Sequence, residues 1–427
     1  MPEHLAVLDC AGNERYVLPS GLTVLVRPMP GYAAAHAIVA AKFGSIDVHF
    51  RLGEQELTLP AGVAHYLEHK MFEDQEGDAF AKFARTGANA NAFTSFDRTC
   101  YYFTATSAVD ESLDVLLGML THPYFTDETV AKEQGIIAQE IKMYEDSPDW
   151  RLVTELCQCL YHSHPIRVDI AGTCDSIARI TPAMLYDCCQ AFYAPANLVL
   201  AAAGNLTARQ VLDACARAGL DRPAAAPAAQ RILAPEPMTL AHPQKTLRMA
   251  VAKPCFGIGY KEAPLAPGDG RTEALYDLIL CCLCGGMSPL YRRLYDEGLV
   301  NPGFGGEVLR ADGCCCILFT GESDQPDTVR RLLQEEIERL RAEGVDREVF
   351  ILCKNEKYGQ LVENLENVED AASQMADFAL LGQTVPQQVE MLAGLTAADA
   401  DAALQAILQP GRAAYVKILP DGAETEE

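Results

Sequence analysis

One order of apolar and polar patterns occurs twice in this chain, once on each side of a stretch rich in alanine and proline. In the first half, 99–106 sets Tyr101, Tyr102 and Phe103 among threonines, the composition of a half-buried strand. Helical spacing follows over 110–120, and a second helix opens at Thr126-Asp127-Glu128 after a proline-containing turn. In the second half, 314–320 reads as the strand, 327–342 as the helix, and Val345-Asp346-Arg347 opens the next helix. Both openings place an acidic residue in the first turn, where it meets the positive end of the helix dipole. Each half then closes with a helix leading into a strand, 182–192 into 198–203 and 397–407 into 413–419. Strands and helices mix without regular βαβ alternation, so the pattern predicts two related α+β domains, the product of a duplication. The intervening composition (Pro223, Pro227, Pro235, Pro237 and Pro243 among alanines) reads as a linker. The expected division is 1–222, a linker at 223–243, and 244–427.

Within the first domain, Gly62 to Phe72 carries the strongest local signal. On a helix, His65, Glu68 and His69 share one face, and Phe72 extends that side; Val63, Leu67 and Met71 fall on an apolar side suited to the core. Two imidazoles one turn apart can grip one zinc ion, and the carboxylate between them can hold and deprotonate a metal-bound water. This is the HxxEH order, the inverse of HExxH. The bland alternative is a surface helix with two satisfied histidines.

A catalytic zinc needs a third protein ligand. Glu133 and Glu140 are seven apart on the helix opened by Asp127, hence on one face, with Ile136, Ile137 and Ile141 expected to pack around it. One carboxylate can bind metal while the other holds a liganding histidine. Glu145 is a rival ligand near the helix end, and an ordinary solvated face explains such a Glu pair equally well when it is taken alone. Upstream, the run Gly87 to Thr94, a turn near Phe96–Arg98 and the strand at 99–106 read as a hairpin. Its first strand carries small side chains, so an extended peptide can approach and add to the edge through main-chain hydrogen bonds; the alternative is a plain alanine-rich edge.

Composition narrows the function classes. A net charge of −25 over 427 residues disfavours nucleic acid and anionic membrane as partners, since phosphate recognition needs clustered Lys and Arg. No run of eighteen apolar residues argues for a membrane span, and Met1-Pro2-Glu3-His4 lacks the start of a secretory signal. The 16 cysteines come partly as neighbours (Cys188-Cys189, Cys281-Cys282, Cys314-Cys315-Cys316) in apolar stretches, where they act as small hydrophobes. Cys281 and Cys284 form a CxxC that reads as core packing rather than a redox or metal motif. A reducing, cytoplasmic setting is the expectation.

Taken together these residues resemble the pitrilysin, or insulinase, family of zinc peptidases (the inverzincins). Leu18-Pro19-Ser20-Gly21-Leu22-Thr23-Val24 resembles the family's opening strand, Gly62 to His69 its metal helix, Asn91-Ala92-Phe93-Thr94 its substrate-pairing strand, and Lys132 to Ile141 its third-ligand helix. Ala171-Gly172, Tyr193 to Asn197 and Gly204-Asn205 match the usual ending of the first domain. The resemblance implies two homologous pitrilysin-like domains, each a mostly antiparallel sheet packed with helices. It implies one zinc per chain on His65, His69 and Glu140, with Glu68 activating water, Glu133 assisting behind the ligands, and Asn91, Ala92, Phe93 and Thr94 binding the peptide substrate. Where the family's second half carries an Arg and a Tyr that reach the metal, this chain has Tyr295 and Asn301 with a spacing one shorter. Its second half has no HxxEH, and Leu352 and Gly359 stand where Glu133 and Glu140 would repeat. The expectation is therefore a zinc endopeptidase subunit acting on short or unfolded peptides in an enclosed chamber. A paralogous chain, or a second copy, would supply the Arg and Tyr, as in two-chain members similar to mitochondrial processing peptidase. The competing reading is a zinc-binding scaffold with little activity.

Overall fold

A computed structural model describes residues 7–8, 12–75, 77–223 and 229–422. The start Met1 to His4 and the linker positions 224–228 lie outside the described residues. The strands used below are β1 (Val7–Leu8), β2 (Glu14–Val17), β3 (Thr23–Pro28), β4 (Ala35–Ala41), β5 (Asn89–Thr94), β6 (Thr99–Ala105), β7 (Leu198–Gly204), β8 (Gln244–Met249), β9 (Cys255–Glu262), β10 (Gly305–Ala311), β11 (Cys314–Glu322) and β12 (Ala413–Pro420). The helices are α1 (Val63–Lys70), α2 (Asp127–Glu145), α3 (Pro148–Leu160), α4 (Pro289–Asp296), α5 (Arg347–Asn364) and α6 (Val368–Leu380).

The chain forms two compact units. In the first, a seven-stranded sheet runs β1-β2-β3-β7-β4-β6-β5, with β5 at one edge. Only the β3–β7 pair is parallel. In the second, a five-stranded sheet runs β8-β12-β9-β11-β10, and again a single pair, β8–β12, is parallel. The five strands β3-β7-β4-β6-β5 repeat as β8-β12-β9-β11-β10, in the same chain order and with the same parallel pair. This is the duplication that the pattern implied, carried by mostly antiparallel sheets with helices.

The units do not follow a contiguous division at 223–243. The first takes in Leu361–Gln388 from the far half of the chain, and the second takes in Glu140–Val168 from the near half. The reason is apolar fit. On α6, Val368, Ala371, Ala372 and Met375 join one core with Leu25, Ile38, Ala40, Cys100 and the small residues Ala201 and Ala203 of the first sheet. On α3, Leu152, Leu156 and Leu160 recur at one-turn spacing. They lie over Gly257 and Gly259 of β9, where a Cβ on Gly257 would stand 2.6 Å from Leu156 Cδ1. The two glycines open the groove that the leucine ridge fills.

Part of the linker is also pinned rather than loose. Gln230–Arg231 pairs with the strand His49–Leu52, and Arg231 forks onto the buried Asp47 carboxylate at 2.7 and 3.0 Å. Among the described residues no single helix is long and apolar enough to cross a membrane.

Candidate metal centre

Helix α1 begins after Gly62, whose φ of 89° lies in the left-handed region and whose missing Cβ would meet Ala171 O at 2.4 Å. Glycine is the residue that satisfies both demands. The helix buries Val63, Tyr66 and Leu67 completely or nearly so, which turns His65, Glu68 and His69 toward one face. The His65 and His69 rings stand 4.7 Å apart, centroid to centroid, at 60°. Phe72 lies beyond the helix end and stacks on Phe80 at 4.2 Å.

The two candidate carboxylates of α2 have separate positions. Glu133 is buried and accepts a hydrogen bond from His69 Nδ1 at 3.0 Å. That bond holds Glu133 below the usual carboxylate range against the opposing effect of burial, with Lys70 and Lys132 acting in the same direction as the bond. It also fixes the ring so that Nε2 of His69 is the nitrogen left for a ligand. Glu140, two turns on, offers an oxygen to a group in which the ligand atoms of His65, His69 and Glu140 all lie within 4.8 Å of one another. No other such group of three occurs among the described residues, so the rival Glu145, the last residue of α2, is not in it. Two imidazoles and one carboxylate are the donor set of a catalytic zinc with an open position, and the residues present therefore fit the metal.

The packing expected around this face needs one correction. Ile137 and Ile141 are buried, but Ile136 is 50 % exposed. Helical geometry turns neighbouring residues by about 100°, so Ile136 cannot share the core side that Ile137 takes. One partner of Glu140 escapes a reading of the sequence: Tyr144 donates to Glu140 Oε1 at 2.7 Å and itself stacks on Trp150 at 5.2 Å. The i,i+4 spacing of Glu140 and Tyr144 was the available signal.

Strand β5 sits at the sheet edge with alternating exposure. Thr94 Oγ1 donates to Glu68 Oε2 at 2.6 Å, so Thr94 and, by the two-residue period, Ala92 face the base. Phe93 faces the other way, toward Tyr102, with its ring 6.4 Å distant. The four residues expected to bind substrate thus divide between two faces. The Asn91 side chain accepts from the Ala92 N–H at 2.9 Å, which occupies a main-chain donor of that edge.

In the second unit, the positions read as replacements of Arg and Tyr are engaged locally. Tyr295 of α4 is half exposed and stacks on Tyr291 at 6.1 Å, and Asn301 donates to Glu322 at 2.8 Å. On α5, Leu352 is 49 % exposed, an apolar side chain at the place corresponding to Glu133.

Two family descriptions match the chain, "Insulinase (Peptidase family M16)" over residues 44–173 and "Peptidase M16 inactive domain" over 179–357. A Bacillus subtilis relative called uncharacterized zinc protease YmfH is 34% identical over 410 residues, which are 94% of this chain and 95% of that one. A crystal structure of an M16-like peptidase from Alicyclobacillus acidocaldarius superposes with a TM-score of 0.92 at 32% identity, covering 99% of both chains. The fold alone is shared with the periplasmic protease PqqL of Escherichia coli, at a TM-score of 0.73 and 16% identity; the match takes 97% of this chain but 48% of that one.

Proposed function

Because this chain belongs to peptidase family M16, the insulinase family, we propose that it is the zinc-bearing subunit of an endopeptidase that cleaves short or unfolded peptides. The observation that carries the reading is the convergence of His65, His69 and Glu140, with Glu68 beside them and Glu133 on His69. A zinc ion held by the three ligands supplies Lewis acidity, polarising the scissile carbonyl and lowering the pKa of water.

The remaining work falls to the chain itself. Thr94 orients the Glu68 carboxylate, which takes a proton from the attacking water as the new C–O bond forms. The same carboxyl returns that proton to the amine as the C–N bond breaks. Glu133 keeps His69 in its liganding tautomer. An extended peptide adds to the β5 edge and takes the Ala92 N–H in place of the Asn91 side chain. Such an edge reads main chain, which favours unfolded segments over folded proteins.

The chamber requires a second module. The match to this chain takes about half of PqqL. We take the partner to be a paralogous M16 chain, or a second copy, that supplies the carbonyl-stabilising donors absent at Tyr295 and Asn301; lacking one such donor costs a factor of about 10²–10³ in rate. A reducing cytoplasm suits the described cysteines, which are free thiols. The second reading, a zinc-binding scaffold with weak activity, is favoured by the engagement of Asn301 with Glu322.

Glu68→Gln tests the mechanism, assayed on an unfolded quenched-fluorescence peptide with and without a candidate partner chain. Hydrolysis is expected to vanish while zinc content stays at the wild-type level. Retained hydrolysis removes Glu68 from the chemistry, and a wild-type chain inactive with every paralogue from its own cell favours the scaffold.

A further inference from the structure

Lys70 is a wholly buried lysine directly after a metal ligand, and neither the ligand set nor the base requires it. An ammonium is among the groups least often buried, because leaving water is costly unless the charge is paired and hydrogen-bonded. Here it is both: Lys70 Nζ pairs with Glu73 and donates to Thr129 O at 3.3 Å. One turn earlier on the same helix, the fully buried Tyr66 donates its hydroxyl to Val130 O.

Two donors at i and i+4 on α1 thus grip two consecutive carbonyls of α2. In a helix ladder, the Thr129 and Val130 carbonyls are the acceptors of the Glu133 and Gln134 N–H groups. The grip therefore falls one turn ahead of Glu133 and on the rod that carries Glu140. Both helices supply ligands, so their relative slide and roll decide whether three donors converge. A carboxylate about 5–6 Å from its helix axis moves about 1 Å for a 10° roll, which is at the edge of what a working site tolerates.

We propose that Tyr66 and Lys70 are positioning residues of the metal centre, a two-point clamp that sets the register of α2 against α1 so that Glu133 meets His69 and Glu140 completes the ligand set. The proposal rests on the zinc reading above. Neither residue touches metal or substrate. The clamp explains why a costly charge is retained where methionine would pack: its return is registry rather than stability.

The test is zinc affinity by chelator competition for wild type, Tyr66→Phe and the double variant Lys70→Met/Glu73→Gln, which removes both charges of the pair, beside melting temperatures of the three metal-free proteins. Loss of a group that orients a metal ligand typically weakens binding by about 10–100-fold, and a drop in that range is expected for each variant. The metal-free double variant is expected to melt at or above the wild-type temperature, since replacing a buried ion pair by uncharged side chains is often neutral or stabilising, which separates registry from bulk stability. Zinc affinity within about twofold of wild type in both variants would overturn the clamp and leave the metal centre standing. A double variant whose affinity falls only along with its metal-free melting temperature would overturn the clamp as well. A wild type with no affinity for zinc would overturn both the clamp and the reading it rests on.

Discussion

At the scale of single residues, the site divides into what spacing can reveal and what only contact can. His65, Glu68 and His69 were legible because helical periodicity alone brings i, i+3 and i+4 to one face. Glu133 and Glu140 were legible only as a pair: seven residues apart, they share a face whichever one binds metal. The hydrogen bond from His69 to Glu133 and the convergence of Glu140 with both histidines separate them. Thr94 is the residue whose place was least readable. It belongs to a strand 26 positions from Glu68, and no local pattern says which of its neighbours faces the base. On the proposed mechanism its hydroxyl orients the carboxylate through a charge-assisted bond, worth about 1.5–3 kcal/mol. Thr94→Val should accordingly lower kcat/KM about tenfold or more with zinc content unchanged, and Thr94→Ser should restore most of it. Steady-state kinetics beside metal analysis checks this; a Thr94→Val enzyme of full activity would remove the hydroxyl from the mechanism.

At the scale of elements, the strands and helices formed where apolar period and turn residues placed them, the hairpin of β5 and β6 included. What the linear pattern could not disclose is which sheet each helix covers. A helix next to a domain in sequence is naturally assigned to it, yet α3 packs on β9 and β12 and α6 on β4 and β7. The signal existed in complementary form, as leucines at one-turn spacing on α3 and Gly257 and Gly259 alternating on β9, but matching a ridge to a groove needs both partners in view. That match makes a prediction. Gly257→Ala places a methyl 2.6 Å from Leu156 Cδ1 and should destabilise the fold by about 1–3 kcal/mol. Leu156→Ala opens a cavity and should cost about 2–5 kcal/mol. Combined, they should cost clearly less than the sum, since the new methyl enters the space the leucine vacates. Denaturant unfolding of the four proteins measures the coupling, and strict additivity would show that the ridge does not seat in the glycine groove.

At the scale of the whole molecule, duplication has produced two copies of one five-strand topology with unlike endowments. The first half of the chain carries the ligands and the base; the second half keeps the sheet and presents Leu352 and Gly359 on the helix that corresponds to α2. The chemistry is confined to one copy while the strand order is common to both, which is why the duplication is plainer in topology than in residue identity. This division of labour concentrates the chemistry of the molecule in the metal centre. Its most direct test is the metal content of the chain purified without chelators, by elemental analysis, beside His65→Ala. About one zinc per wild-type chain is expected, lost in the variant. Wild-type protein free of zinc, or a His65→Ala protein that keeps it, would contradict the assignment of His65, His69 and Glu140 as the ligands.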